Sequence, residues 1–343
     1  MEKNTENGFN LYGEDLFNDP ITPVSRGKIA DKFLVPPFSI LDTRKGYWQE
    51  RKRMWISLGI KGELGRGDSL LGISEQARNH YKSGFARCFG QDLVNGENDN
   101  FSRQEADKRS NLNNKPLKPS WAVSTGTTNM APGTSIFDPV LTELMYQWFC
   151  PAGGQVIDPF AGGSVRGIIA HLLGYHYWGC DLSFKQIKAN REQAAVITAK
   201  NQPCWVIGDS QDEIADAPQA DMILSCPPYG NLEVYSDDKN DLSNMSYDDM
   251  YRKYYQIIKG AVAKLKPNHY ACFVVANFRN KKGYYYDFVG DTVLAFQKAG
   301  CGYYNEIILI NVAGSLPIRI SRQFNASRKI GKCHQNVLVF KKE

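Results

Sequence analysis

From residue 137 onward the apolar positions switch repeatedly between two periods. Apolar residues three and four apart predict helices over 137–149, 165–173, 184–200, 247–265 and 288–299. Between them, short apolar runs predict strands at 156–157, 177–180, 205–207, 222–224, 271–276, 307–311 and 336–340. Pro139 falls in the first turn of its helix, where a missing N–H costs nothing. Strands alternating with helices predict a mainly parallel sheet covered on both faces. Upstream, residues 44–58 predict one more helix, with Trp48, Trp55 and Leu58 on a single face. Its other positions carry Arg44, Lys45, Arg51, Lys52 and Arg53, so one face can pack while the other meets phosphate. Residues 1–30 are polar and weakly patterned. Residues 91–135 are rich in Asn, Ser, Lys, Gly and Pro and read as a long loop or linker. The expected organisation is an arm (1–30), an N-terminal extension with the basic-aromatic helix and the polar loop (31–132), and an α/β domain (133–343).

Composition changes this picture little. With 42% hydrophobic and 12% aromatic residues among 343, the chain can bury a real core and is not a disordered tail. A formal net charge of +5 is mild, and where the charge sits matters more. Eight cysteines are scattered without a C-x-x-C pair or a Cys/His cluster, so free thiols in a reducing cytoplasm and no metal are expected. No apolar run is long enough for a membrane span, and the polar start Met1-Glu2-Lys3-Asn4 is unlike a signal peptide.

The chemistry concentrates where strands end. Three successive strands stop at an acid: Asp158, Asp181 and Asp209. Any one of these could simply cap a strand in solvent; three in register point to a ligand. Asp158 is followed by Pro159-Phe160-Ala161-Gly162-Gly163-Ser164, whose glycines allow close backbone approach. The loop lacks the G-x-G-x-x-G dinucleotide fingerprint, and its acid precedes the glycines, which suits a cofactor with a cationic head better than a pyrophosphate. Asp181 is placed for ribose hydroxyls and Asp209 for an adenine amino group. The next strand runs into Cys226-Pro227-Pro228-Tyr229-Gly230. Two prolines cannot continue a sheet ladder, so the chain leaves in a rigid turn that delivers an aromatic ring. In open α/β sheets ligands bind just past such strand ends.

Together, Asp158-Pro159-Phe160-Ala161-Gly162-Gly163 and Cys226-Pro227-Pro228-Tyr229 resemble the S-adenosylmethionine-dependent DNA methyltransferases that modify exocyclic amino groups. In that family the second motif reads Asp, Asn or Ser, then Pro-Pro, then Tyr or Phe. Phe137-Asp138-Pro139 resembles the segment that covers the methionine end of the cofactor, and 336–340 resembles the last strand. The likeness covers about 133–343. The block 36–65 resembles, more loosely, methylases encoded by bacteriophages. The resemblance implies a class I methyltransferase-like (Rossmann-like) seven-stranded sheet with an antiparallel final hairpin. It also implies S-adenosyl-L-methionine as cofactor, no metal, and transfer to adenine N6 or cytosine N4 of a flipped base, as in restriction-modification methylases. Two departures stand out. Gly162-Gly163-Ser164 replaces a common G-x-G-T run, and Cys226 replaces Asp, Asn or Ser, which leaves the target base open. A cytosine-C5 enzyme would use a Pro-Cys nucleophile. Pro203-Cys204 enters a strand far from the expected turn, and Cys204 reads as a buried strand residue.

Nucleic acid would meet basic residues at the same edge. Arg279, Lys281 and Lys282 follow the strand at 271–276, and Arg319, Arg322, Arg328, Lys329 and Lys332 cluster in what reads as a loop between the last two strands. Glu233, Asp237, Asp238 and Asp241, just after Tyr229, are a counter-signal. Three functions stay open at this point: a DNA amino-methyltransferase first, an RNA amino-methyltransferase, and a non-catalytic nucleic-acid-binding protein with a methylase fold.

Overall fold

The computed structural model describes residues 33–62, 64, 136–198, 202–230, 238–313 and 316–343. The expected arm, the polar loop at 91–135, and Glu233 and Asp237 of the acidic segment lie outside the described residues.

In chain order the elements are β1 (Ile40–Asp42), α1 (Gly46–Ser57), α2 (Pro139–Phe149), β2 (Gln155–Asp158), α3 (Val165–Leu172), β3 (His176–Asp181), α4 (Phe184–Ile197), β4 (Cys204–Ile207) and α5 (Ser210–Glu213). Then come β5 (Ala220–Ser225), α6 (Tyr247–Lys264), β6 (Leu265–Val275), β7 (Phe278–Arg279), β8 (Tyr285–Tyr286), α7 (Phe288–Lys298), β9 (Cys301–Ile310), α8 (Leu316–Ser327) and β10 (His334–Lys342). Eight strands form one sheet in the order β1-β9-β10-β6-β5-β2-β3-β4. Strands β2 to β6 run parallel, and β10 pairs antiparallel with both β6 and β9. The seven expected strands and the antiparallel closing hairpin are therefore present. The eighth, β1, joins the edge by pairing in parallel with β9, Ile40 opposite Ile308. Three residues carry too short a period for sequence to mark.

The sheet separates two apolar layers. One packs Trp48, Trp55, Leu141, Ile168 and Ile187 against one face. The other packs Met250, Tyr254, Phe273, Phe296 and Phe340 against the opposite face. The strongly apolar central strands have both faces covered, as parallel sheets require.

Residues 33–62 are part of the same compact unit as 136–343. Trp48 and Trp55, one heptad apart on α1, are wholly buried with α2. Arg51 ion-pairs with the buried Glu143 of α2, whose Oε2 also accepts from Trp55 Nε1 at 2.7 Å. Lys52 reaches Asp138 at 3.0 Å. Two of the five basic side chains of this helix region are thus spent inside the fold, and Arg44 pairs with Asp42.

Two expectations need correction. The basic stretch between the last strands is not a simple loop: α8 occupies 316–327, because Leu316, Ile320 and Phe324 recur at helical spacing. Cys204 is exposed, not buried, since it opens β4, the last strand at one edge of the sheet.

Replacing Trp55 with Ala removes a buried anchor and leaves Glu143 short of a donor. The expected cost is about 3–5 kcal/mol in the unfolding free energy of the whole chain, read as one cooperative urea transition by circular dichroism. A first transition confined to the N-terminal block, with the sheet unfolding at its original midpoint, would show that α1 is not integral to the fold.

Candidate active site

Among strands β2 to β6 the order reverses once. From β2 the chain steps outward through β3 to β4, then returns to β5 on the other side of β2 and continues to β6. Between β2 and β5 the following loops diverge, and the crevice outside such a reversal is where open α/β sheets bind ligands. The loop 159–163 leaves β2 there, and the turn 226–230 leaves β5 there. The register sets Val156 beside Met222 and Ile157 beside Ile223, so Asp158 and Ser225 end their strands side by side.

Asp158 is completely buried. Ser225 Oγ donates to its Oδ1 at 2.5 Å. Arg166 Nε and the Tyr177 hydroxyl donate to its Oδ2 at 2.5 and 2.7 Å. Arg166 also donates to the carbonyls of Phe160 (2.7 Å) and Ala161 (3.0 Å), and its guanidinium lies 4.3 Å over the Phe137 ring. A charge without water is tolerable only when paired and hydrogen-bonded, as here. Burial, then the Asp158 charge, holds the Tyr177 phenol well above its usual range, so it stays a donor. Asp158 is thus the internal knot of the site; its carboxylate already holds three side chains.

The loop 159–163 is held at nearly every polar atom. Pro159 O accepts from Ser210 Oγ (2.5 Å), Phe160 N donates to Ser225 Oγ (3.1 Å), and Ala161 N donates to Cys180 O (3.0 Å). Gly162 N donates to Asp181 Oδ2 (2.9 Å) and Gly162 O accepts from Asn190 (2.7 Å). Gly162 has φ +48°, the left-handed region in which a side chain would be strained. Gly163 lies against the Gly62 carbonyl, and Gln193 bonds both Ser164 Oγ (2.7 Å) and the backbone of Lys61. Asp138 caps α2 and accepts from Val140 N at 2.9 Å, one residue after Phe137.

Asp181 ends β3, with Oδ2 on Gly162 N and Oδ1 on Ser183 N at 2.8 Å. Burial raises its pKa, against the opposing pull of those two amides. Asp209 follows β4, caps α5 through Gln211 N at 3.0 Å, and ion-pairs with Lys253 of α6.

In the β5 turn, Pro227 is buried, and Cys226 and Pro228 are half-buried. The Tyr229 hydroxyl is fixed from three sides: it donates to Val274 O (3.2 Å), accepts from Gln335 Nε2 (2.8 Å), and sits 3.6 Å from Cys226 Sγ. Its ring meets Phe288 edge-on at 6.3 Å between centroids. Gly230 closes the turn at φ +53°, and a Cβ there would come within 2.7 Å of the Phe278 ring.

The structure thus gathers Phe137, Asp138, Asp158–Gly163, Asp181, Asp209 and Cys226–Tyr229 along one edge of the sheet. The basic set divides. Arg279 is in β7, Lys281 and Lys282 are exposed at the β7–β8 turn, and Lys329 lies against Gly283. Arg322 and Arg328 are exposed, and burial lowers the pKa of the half-buried Lys332. Arg319 falls in α8, with its side chain outside the described part. Of the acids after Tyr229, the two among the described residues serve as local caps: Asp241 accepts from Ser243 N and Oγ (2.9 and 2.8 Å), and Asp238 from Asn240 N (2.8 Å).

Sequence reasoning missed Arg166, Tyr177, Ser225, Gln335 and Lys253. Arg166 had a legible signal: a charge within the apolar run Val165-Arg166-Gly167-Ile168-Ile169. Ser225 directly precedes the Cys-Pro-Pro-Tyr turn. Gln335 and Lys253 had none, since their contacts depend on which strands and helices become neighbours. Among the described residues, no group of acidic, His or Cys side chains could hold a metal, and no helix is long and apolar enough to cross a membrane.

No protein family and no curated protein matches the chain. Solved structures similar to it include TrmN from Thermus thermophilus, with 17% identity, 60% of this chain, 49% of that one and a TM-score of 0.41. A TehB-like SAM-dependent methyltransferase from Corynebacterium glutamicum shares 16% identity over 70% of this chain and 97% of that one, with a TM-score of 0.39. Magnesium protoporphyrin IX methyltransferase from Synechocystis PCC 6803, solved with bound SAM, shares 12% identity over 71% and 94%, with a TM-score of 0.38. The chain spans about half the length of TrmN.

Arg166→Met would strand the Asp158 charge. We expect a loss of about 3–5 kcal/mol of stability at neutral pH, measured by denaturant unfolding. Arg166→Lys, which keeps a cation beside Asp158, should recover part of that loss. Equal loss in the Met and Lys variants would mean that Asp158 does not depend on the charge of Arg166.

Proposed function

We propose that the chain is an S-adenosylmethionine-dependent methyltransferase acting on an exocyclic amino group, adenine N6 or cytosine N4, of a base flipped from DNA. The observation that carries this reading is the pairing of the two loops at the strand-order reversal: the clamped glycine loop after β2 and the Cys226-Pro227-Pro228-Tyr229 turn after β5, tied by the Asp158–Ser225 hydrogen bond.

The residues suit the cofactor in parts. Asp181 ends its strand beside the left-handed Gly162, with an acceptor lone pair left on each oxygen for ribose hydroxyls. Phe137, Asp138 and 159–163 frame the methionine side of the same crevice. Asp158 supports that loop from beneath; its charge is matched by Arg166, so it does not itself receive a cationic head. Asp209 would accept from the adenine amino group through the lone pairs that Lys253 and Gln211 leave. When bound, S-adenosylmethionine supplies an electrophilic methyl group.

The turn then has one task. An aromatic amino nitrogen is a poor nucleophile because its lone pair is delocalised into the ring. Accepting hydrogen bonds from the amino hydrogens favours a pyramidal nitrogen with a freer lone pair. The carbonyl of Pro227 or Cys226 is the main acceptor in this reading, and the position-226 thiol, a weak acceptor, sits beside it. Tyr229 stacks on the base, with its ring already fixed through its hydroxyl. Extruding the base costs a few kcal/mol, and most of the catalysis is positioning. Arg279, Lys281, Lys282, Arg319, Arg322, Arg328, Lys329 and Lys332 would meet the phosphates.

The test is transfer of labelled methyl from S-adenosylmethionine to duplex DNA, single-stranded DNA and tRNA, followed by nucleoside mass spectrometry. N6-methyladenine or N4-methylcytosine in DNA is expected. Label in tRNA alone would shift the substrate to RNA, and no label with cofactor still bound would leave a binding protein. Asp181→Asn should weaken cofactor binding about 10-fold or more by calorimetry, at a cost of roughly 1.4 kcal/mol per tenfold. In the unsubstituted protein that affinity should fall as pH drops, and the fall should begin above the ordinary Asp value of about 3.9, because burial raises the Asp181 pKa.

A further inference from the structure

The two-stranded ribbon β7–β8 takes no part in the main sheet. Phe278 pairs with Tyr286 and Arg279 with Tyr285. The turn between them is closed by Asn280 N to Tyr284 O (2.8 Å), Gly283 N to Asn280 O (2.9 Å) and Tyr284 N to Asn280 Oδ1 (3.1 Å). Its root is anchored at the candidate active site: Phe278 faces Gly230 of the Pro-Pro-Tyr-Gly turn, and Tyr286 stacks on Tyr247 at 4.0 Å and 6°. The ribbon leaves β6 at the end of the sheet where β2 and β5 also end. The tight turn over 280–284 puts Lys281 and Lys282 at the tip of the ribbon.

The tip has an unusual surface for an anchored ribbon. Tyr284 is 72% exposed and Tyr285 46% exposed, and both are large rings. Lys281 and Lys282 stand exposed beside them. Arg279 donates to Gly283 O (2.8 Å) and lies 3.9 Å over the Tyr285 ring, so one cation and one ring are held as a flat, rigid pair. Lys329, from beyond α8, crosses to Gly283 and adds a further cation from a remote part of the chain. No acid lies between Phe278 and Tyr286. An exposed ring costs free energy unless something covers it, and four cations around it select an anionic, aromatic partner. Stacking platforms framed by positive charge are the recognition chemistry of unpaired nucleotides.

We propose that the β7–β8 ribbon is a docking element for single-stranded or locally unstacked DNA next to the target base. Tyr284 stacks on an unpaired base while Lys281, Lys282 and Lys329 contact the flanking phosphates. This rests on the methyltransferase reading above for its choice of DNA and for the target base.

The experiment is fluorescence anisotropy of a labelled single-stranded 20-mer oligodeoxynucleotide and of its duplex, with the full chain, across a salt series. Tyr284→Ala should weaken single-strand binding by about 5- to 150-fold, the range expected for one stacked base, and Tyr284→Phe should stay within about twofold. Lys281→Ala with Lys282→Ala should flatten the salt dependence by about 0.7 per lysine. Cofactor binding, followed by calorimetry with S-adenosylmethionine, should be unchanged in each variant, which separates these effects from misfolding. Wild-type binding that Tyr284→Ala leaves intact would overturn the ribbon proposal alone. Failure of the unsubstituted chain to bind either form of DNA would overturn the DNA reading and the ribbon proposal together.

Discussion

The architecture of the site depends on one buried carboxylate. Asp158 joins the end of β2 to β5 through Ser225, to β3 through Tyr177 and to α3 through Arg166. Arg166 in turn holds two carbonyls of the glycine loop. Removing water from such a pair costs several kcal/mol per ion, and good geometry with further hydrogen bonds must offset it. The consequence is specificity of arrangement: loops that leave neighbouring strands cannot shift independently while both are bonded to the same group.

That constraint explains why so much of the surrounding polar network points inward. Ser210 reaches Pro159 O from after β4, Asn190 reaches Gly162 O from α4, and Gln193 joins α4 to Ser164 and to Lys61. On the other side, Gln335 of β10 and Val274 of β6 fix the Tyr229 hydroxyl. A rigid scaffold carries two short loops, and each loop is tied to elements on both flanks. This is the preorganisation that a reaction governed by positioning requires. The N-terminal block contributes to the same end. Its helix packs into the core through Trp48 and Trp55, and Lys52 touches the Asp138 cap beside Phe137.

Much of this was legible from residue order. Seven strands and five helices of the α/β part follow from periodicity, since burying one face of a helix or both faces of a strand dictates the spacing of apolar residues. The Pro-Pro turn marks its own strand end because proline cannot extend a ladder. Features that lack a period escaped. Strand β1 is three residues long and the ribbon β7–β8 two residues per strand, whereas α8 does carry a helical period, Leu316, Ile320 and Phe324, that was passed over for the basic residues around it.

By itself, the sequence determined the fold class, the strand ends that carry Asp158, Asp181 and Asp209, and the turn Cys226-Pro227-Pro228-Tyr229, because each is written in local spacing and local backbone chemistry. Only the tertiary structure decided what those groups do to one another. It turned Asp158 from a free acid into a paired knot, gave Asp209 a partner in Lys253, and set Lys329 against a ribbon some fifty residues earlier. The physical reason is that a charge or a hydroxyl finds its partner across the strand order, and strand order depends on how whole elements pack.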